Sequence, residues 1–537
     1  MSQRAPTALL VVALVASAAL LFSYVSDLIF IGDSWEFLAG RPDWSASTFL
    51  EPFNEHAVLI TAFIFKLLLA LFGMDSALPF YAVSIALFLL CAVLMFVYMR
   101  RRVGDWLALC GAVLLLFMGA AFEDLLWEFQ MCFFGSIAAG LGAFLALDRE
   151  DRAGDRLACL LLLVSTAFSS LGVPFVVATM ARVWLDPSQR RKRAYVPLLP
   201  LALYLAWWVG SGHSAGSEVG PGDIPDLPGY VFEAGAAGIA ALLGQQPVDG
   251  DGKPPLLAQV LVVVLGSSLI YWLGRRRQLP PGLIVALVLT FSFWGLLALD
   301  RGPQRFSSRF QYPSGVFLLI IVAEALRGVR LPRGATLAVA VITAAAVVGG
   351  VSLLEQGYRV RWQVASANIR ATLAAIELAG PSAQPSYEIH FPPSIDLPVR
   401  TYREARQKHG TPAFSEAELI SAKETDRRLA DRTLVGALGL GLLAPADASE
   451  PVRCRQITPP PDAQSEASLP SAGGFEVTNL TNETVTVRVG RFSDEAPARV
   501  GELGARARAS LHLPADRSER AWRLGIKGGP VRLCAVR

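Results

Sequence analysis

ALLVVALVASAALLFSYVSDLIFI, residues 8–31, decides the fold of this chain. It carries a single charge, Asp27, and exceeds the ~20 apolar residues a helix needs to cross a bilayer. It is also too long for a signal-peptide core, and no small-residue cleavage site follows, so it reads as an uncleaved first span. Similar apolar runs recur at 79–99, 106–122, 129–147, 157–169, 171–185, 194–211, 255–273, 281–299, 311–328 and 335–353. Charged residues make up 17% of the 537-residue chain, against about 25% in soluble domains. A mainly α, polytopic membrane protein with about eleven transmembrane helices is the expectation. The net charge of +3 is too small to suggest a nucleic-acid partner.

Arginine and lysine orient these spans. With the N-terminus inside and residues 55–73 lying along the surface, 17 basic residues fall inside: Arg4, Arg100–Arg102, Arg149, Arg152, Arg156, Arg190–Arg193, Arg275–Arg277, Arg327, Arg330 and Arg333. Five fall outside: Arg41, Lys253, Arg301, Arg305 and Arg309. This is the positive-inside asymmetry. Lys66 supports the surface placement of 55–73, because a lysine at the bilayer centre costs roughly 2.5–3.5 kcal/mol on insertion scales. Gly172 and Pro174 break 157–185 into two short helices. Val231–Leu243, weakly amphipathic, reads as a second piece on the membrane.

Beyond residue 353 the composition turns polar. Residues 354–455 mix helices and short strands, 456–473 read as a Pro/Ser/Ala linker, and 474–537 alternate as the strands of a small β-sandwich. The C-terminal extracytoplasmic region is thus α+β. Cys454 and Cys534, the two cysteines outside the apolar runs, are a natural disulfide pair if this region lies in an oxidising compartment. CxxC and Cys/His metal spacings are absent.

Three outward loops hold the residues suited to chemistry. The first, GDSWEFLAGRPDWSASTFLEPFNEH (32–56), gathers acids around Asp33 and Glu36, with Trp35, Trp44, Glu55 and His56. A carboxylate at the rim could take a hydroxyl proton; the plainer reading is acids near a helix start. The tryptophans suit a sugar face or a membrane aromatic belt, and His56 a phosphate or an interface anchor. The second loop holds Glu123, Asp124, Trp127, Glu128 and Gln130; Glu128 and Gln130, at the start of a span, are the better candidates, with Glu123 and Asp124 solvated. The third, DRGPQRFSSRFQYPS, carries Arg301, Arg305 and Arg309 on the side where basic residues are disfavoured. That suits binding of phosphate oxygens or contact with lipid headgroups and loop acids.

Asp33-Ser34-Trp35-Glu36-Phe37-Leu38, Pro52-Phe53-Asn54-Glu55-His56, Leu71-Phe72-Gly73, Leu126-Trp127-Glu128-Phe129-Gln130 and Ser308-Arg309-Phe310 together resemble the GT-C superfamily of polytopic glycosyltransferases. The likeness is to bacterial members that use polyprenyl-phosphate sugars, and it covers roughly residues 7–330. It implies a first-loop acid as general base, which falls on Asp33, and a surface helix after that loop. Many members carry two adjacent acids, or acid-x-acid, where this chain has Asp33-Ser34 and then Glu36. That leaves open which of Asp33 and Glu36 is the base, and whether a divalent cation (Mg or Mn) takes part; the sequence itself requires no cofactor.

The function so implied is transfer of a sugar from a polyprenyl-phosphate donor to a hydroxyl on a glycan, lipid or protein acceptor, at the outer face of a bacterial inner membrane. Trp35, Glu55, His56, Trp127, Glu128, Gln130, Arg305 and Arg309 are the expected substrate contacts. The alternatives are a transporter or flippase of lipid-linked glycans, or a non-catalytic scaffold presenting the C-terminal domain.

Overall fold

The computed structural model describes residues 4–212, 227–275, 280–300, 306–329, 331–391, 395–445, 451–460 and 464–536. The chain forms two compact bodies. One comprises the residues up to Phe30, Asp43–Leu71 and Ala77–Gln363; the other comprises Ile31–Pro42, Phe72–Ser76 and the chain from Val364. The loop 32–56 is therefore divided between them, and the helical body ends at Gln363 rather than at residue 353.

The first body is helical. Among the described residues, seven helices are long and apolar enough to cross a membrane: Ala5–Val25, Leu78–Val103, Asp105–Leu125, Glu128–Leu147, Leu256–Arg275, Pro281–Leu299 and Arg333–Ser382. The other four expected crossings are also helices but shorter: Arg152–Phe168, Gly172–Trp184, Tyr195–Gly210 and Gln311–Ala325. The first two of these form the expected short pair, broken at residues 169–171, with Pro174 in the opening turn, where no helical hydrogen bond is lost.

Helix Met131–Leu147 sits at the centre of this body, packed between Leu78–Val103 and Arg152–Phe168. Its small residues Ala138, Ala139, Gly140 and Ala143 are buried, which lets neighbouring helices approach closely. Helix Arg333–Gly357 makes an even closer approach. A Cβ on Gly119 would lie 1.8 Å from the Gly350 carbonyl oxygen, so only glycine fits where these backbones meet.

Two expectations change here. Helix Leu227–Leu242, read as a surface piece, buries Tyr230, Ala236, Ala237, Ala240 and Ala241. It packs against the helices Leu256–Arg275, Pro281–Asp300 and Gln311–Ala325, its small side chains giving it internal contacts rather than an amphipathic face. Lys66, on helix Leu59–Phe72, is 5% exposed. Its ammonium lies 5.9 Å from the Trp44 ring centre and 6.0 Å from that of Phe49, so aromatic faces take over part of the work of water.

The second body is α+β. Strands β1 (Glu388–Phe391) and β2 (Ile395–Pro398) form a hairpin, followed by helices Val399–His409, Glu416–Ser421 and Glu424–Ala437. Two antiparallel sheets follow. They are built from β3 (Leu442–Leu443), β4 (Pro451–Ile457), β5 (Ser465–Leu469), β6 (Gly473–Asn479), β7 (Val485–Gly490), β8 (Ala498–Leu503), β9 (Arg508–Leu513), β10 (Trp522–Lys527) and β11 (Val531–Val536). One sheet runs β5-β10-β7-β8 and the other β3-β9-β6-β11-β4. Alternate residues are buried, among them Val485, Val487, Val489, Trp522, Leu524 and Ile526 in one sheet and Val477, Leu511, Leu513, Val531 and Leu533 in the other. This is the pattern of a two-sheet sandwich.

The sandwich is larger than its sequence signal. Strand β5 lies inside the stretch 456–473 expected to be a linker, and β4 precedes it. Cys454 and Cys534, direct cross-strand partners on β4 and β11, are joined by a disulfide. Helix Glu424–Ala437 is tied to the sheets by buried Asp431, which accepts the backbone N–H groups of Arg491 (2.8 Å), Phe492 (3.0 Å) and Ser493 (2.9 Å). An internal ion pair, Arg491–Asp516 at 2.7 Å, has both side chains fully buried, with the guanidinium 4.2 Å from the Trp522 ring centre.

Candidate functional site

Two short turns, Gly119–Ala121 and Glu128–Gln130, flank the single-turn helix Phe122–Leu125 and bring a run of polar side chains into the helical body. Glu123 and Asp124, expected to be solvated, are 4% and 0% exposed. The reason is the third loop, which folds over them. The Ser307 hydroxyl and the Arg309 backbone N–H (3.0 Å) both donate to Glu123, and the Ser308 hydroxyl accepts the Glu123 backbone N–H at 3.2 Å. From beyond the last long apolar run, the Arg361 guanidinium meets the same carboxylate at 2.5 Å. Glu123 is thus fully engaged as a clamp between two segments.

Asp124 is placed differently. It is fully buried, with the Arg309 charge and Tyr312 as its neighbours, and neither carboxylate oxygen makes a side-chain hydrogen bond among the described residues. Glu128, also fully buried, faces the Tyr81 hydroxyl, which donates to the Leu126 carbonyl at 3.0 Å. The Gln130 side-chain oxygen is buried without a hydrogen bond among the described residues. Trp127, 4% exposed, lies against Trp362 with ring centres 5.7 Å apart. Arg361 and Trp362 belong to a π-helical turn, Tyr358–Trp362, a backbone irregularity frequent at functional sites.

The Pro52–His56 motif packs onto the same turn. Phe53 and His56 exchange backbone hydrogen bonds (3.1 and 2.8 Å) around Asn54 and Glu55, both at positive φ (45° and 68°), the geometry of a type I′ hairpin turn. Glutamate rarely adopts that conformation, so the tight turn is held by its surroundings. Phe53 lies edge-on to Phe129, 5.3 Å between centres, which joins the PFNEH and LWEFQ motifs. The Glu55 carboxylate lies near Tyr204, whose hydroxyl donates to Ser170 at 2.8 Å.

Asp33, Trp35 and Glu36 belong to the other body. Asp33 is 6% exposed. Glu36 opens a second π-helical turn, Glu36–Gly40, and pairs with Arg41 at 3.3 Å. Trp35 corrects an expectation. It is fully buried, stacked on Phe391 at 4.4 Å, with Tyr402 at 6.1 Å, so the ring face meant for a sugar is occupied by protein.

Arg301 and Arg305 lie outside the described residues. Among the described residues no group of three His, Cys, Asp or Glu side chains gathers as a metal site. Sequence reasoning missed Tyr81, Ser307, Tyr312, Arg361 and Trp362. For the last two a signal existed, the basic-aromatic run YRVRW just past the final apolar stretch. Compared with protein families, with curated proteins and with solved structures, the chain matches none.

Proposed function

We propose that this chain is an inverting membrane glycosyltransferase of the GT-C type, transferring a sugar from a polyprenyl phosphate to a hydroxyl acceptor on the outer face of a bacterial inner membrane. The observation that carries the reading is the assembly of Arg309 and Arg361 around Glu123 and Asp124, beside the Trp127–Trp362 pair, within a body of membrane-length helices. In the reaction the acceptor oxygen bonds to the anomeric carbon as the bond from that carbon to the phosphate oxygen breaks. A carboxylate takes the acceptor proton, and the polyprenyl phosphate leaves as an anion. Arginine stabilises that developing charge, so a second carboxyl acting as acid, as in glycoside hydrolysis, is unnecessary. Asp33 is the proposed base, with Glu36 second. The Cys454–Cys534 disulfide supports an oxidising compartment for the C-terminal body, in line with the basic-residue asymmetry.

Incubating membranes that contain the chain with labelled polyprenyl-phosphate sugars tests the proposal. Transfer that disappears in Asp33→Asn is the expected result; full activity in that variant overturns the base assignment, and no transfer from any such donor overturns the reaction. One observation favours a second reading, transport of lipid-linked glycans: Asp124 and Glu128 are fully buried acids in candidate spans, where ionisable groups often mark a pathway. Movement of a labelled lipid-linked glycan across liposomes holding the purified chain, without sugar transfer, selects it.

A further inference from the structure

Far from this site along helix Leu78–Val103, the helical body holds a half-open cavity of about 360 Å³. Tyr81 lies in the first turn of that helix and Arg102 in its last, roughly 30 Å apart at 1.5 Å per residue. Helices Leu78–Val103, Met131–Leu147, Gly172–Trp184 and Gln311–Ala325 end around the cavity, and Pro281–Asp300 begins there.

Four guanidinium groups line it against two buried or nearly buried carboxylates. Arg102 bonds Glu324 and reaches Asp148 at 3.2 Å. Asp148 also receives Arg182 at 2.9 Å and Arg101 at 3.7 Å. Glu324 receives Arg327 at 3.3 Å and the Tyr98 hydroxyl at 2.7 Å. Gly282 lies close beside it: a Cβ there would sit 2.1 Å from a Glu324 oxygen and would displace the carboxylate. With exposed Glu150 on the rim, the lining keeps one positive charge in excess.

The donors are also in excess. A guanidinium carries five N–H groups, yet Arg327 makes one hydrogen bond among the described residues, to Glu324, and Arg101 one, to the Leu145 carbonyl. Both side chains are at least half exposed. The cavity has room for roughly ten waters at ~30 Å³ each, enough for a phosphate group. It lies where apolar helices end, and basic pockets between membrane-spanning helices bind anionic lipids. We propose that this cavity is a second site, independent of the transferase reading, that takes the phosphate of an anionic membrane lipid through Arg101, Arg182 and Arg327. The internal Arg102–Glu324 pair is its floor.

The test uses the purified full chain in dodecyl maltoside, with and without Arg101→Gln/Arg327→Gln, and a single Arg327→Gln variant in case the double one folds poorly. Thermal midpoints are read with dioleoyl phosphatidylglycerol, dioleoyl phosphatidylcholine or inorganic phosphate. Phosphatidylglycerol raises the wild-type midpoint by about 2–4 °C more than phosphatidylcholine does, and the variants lose that difference. If inorganic phosphate alone reproduces a variant-sensitive gain, the phosphate chemistry stands and its source is soluble. Equal gains in wild type and variants, or no anion-specific gain in wild type, overturn the site and leave a self-contained network in which arginines cap helix ends.

Discussion

Arg361 meets Glu123 at 2.5 Å across 238 positions of sequence, with the carboxylate buried and the guanidinium about half exposed. The pair is unequal, and so are the expected effects of breaking it. Glu123→Ala takes the buried acceptor from the half-buried Arg309 backbone N–H and Ser307 hydroxyl, at about 1–3 kcal/mol. Arg361→Gln removes only a partly solvated charge, worth about 0–1 kcal/mol. Thermal melting of the two purified variants checks this order; equal losses would remove Glu123 from its role as clamp.

Asp124 gives the sharper functional test. A buried carboxylate without a hydrogen bond from a side chain destabilises a fold, so Asp124→Asn is expected to leave the thermal midpoint unchanged or higher. If the carboxylate serves sugar transfer beside Arg309, the same variant loses about 100-fold or more of the activity. Midpoint and transfer rate are measured on one preparation, and unchanged transfer removes Asp124 from the site.

Trp35 is expected to behave as core. Truncation to alanine removes a ring stacked on Phe391 and costs about 3–5 kcal/mol, whereas Trp35→Phe keeps most of the contact. Limited proteolysis of the C-terminal body reads the difference. A Trp35→Ala protein as protease-resistant as wild type, but with a raised donor KM, would return the residue to the substrate.

Acid stability probes the second body. Backbone and hydroxyl donors of Ser415, with Arg370 nearby, hold the Glu418 carboxyl below its ordinary value. A depressed carboxyl stabilises the fold above its unfolded pKa, about 4.3, and that contribution is lost as pH falls through the lowered value. Ser415→Ala, which also removes the helix cap, is expected to cost about 0.5–2 kcal/mol at pH 7. The gap to wild type narrows below pH ~4. Asp516 has the opposite sign, because burial raises its carboxyl and the benefit of the protonated form fades as pH rises above the usual aspartate range. Denaturant melts at pH 3, 5 and 7 separate the two.

Much of the architecture was legible from residue order. Each of the eleven apolar runs is a helix, because twenty or so apolar residues have no better way to satisfy their backbone than an internal hydrogen-bond ladder. Alternation in VTVRVG and RASLHL marked strands, and two cysteines outside the apolar runs marked a disulfide. The Pro/Ser/Ala stretch 456–473 hid strand β5, because edge strands tolerate polar residues and proline at their ends.

The candidate site was legible only in part. Arg309, Trp127 and Glu128 stood out because charged or amphipathic residues at span ends are costly enough to need a reason. The burial of Glu123 and Asp124 was not visible, since exposure depends on what packs over a residue, here the Ser307–Arg309 segment and Arg361 from far along the chain. Nor was it visible that Trp35 spends its ring on Phe391, or that the first loop divides at Pro42 between two bodies. Hydropathy and spacing are local quantities and determined the helices, strands and their order. Which acid is clamped, which is left without a hydrogen bond and which aromatic face is covered are long-range contacts, and the tertiary structure alone decided them.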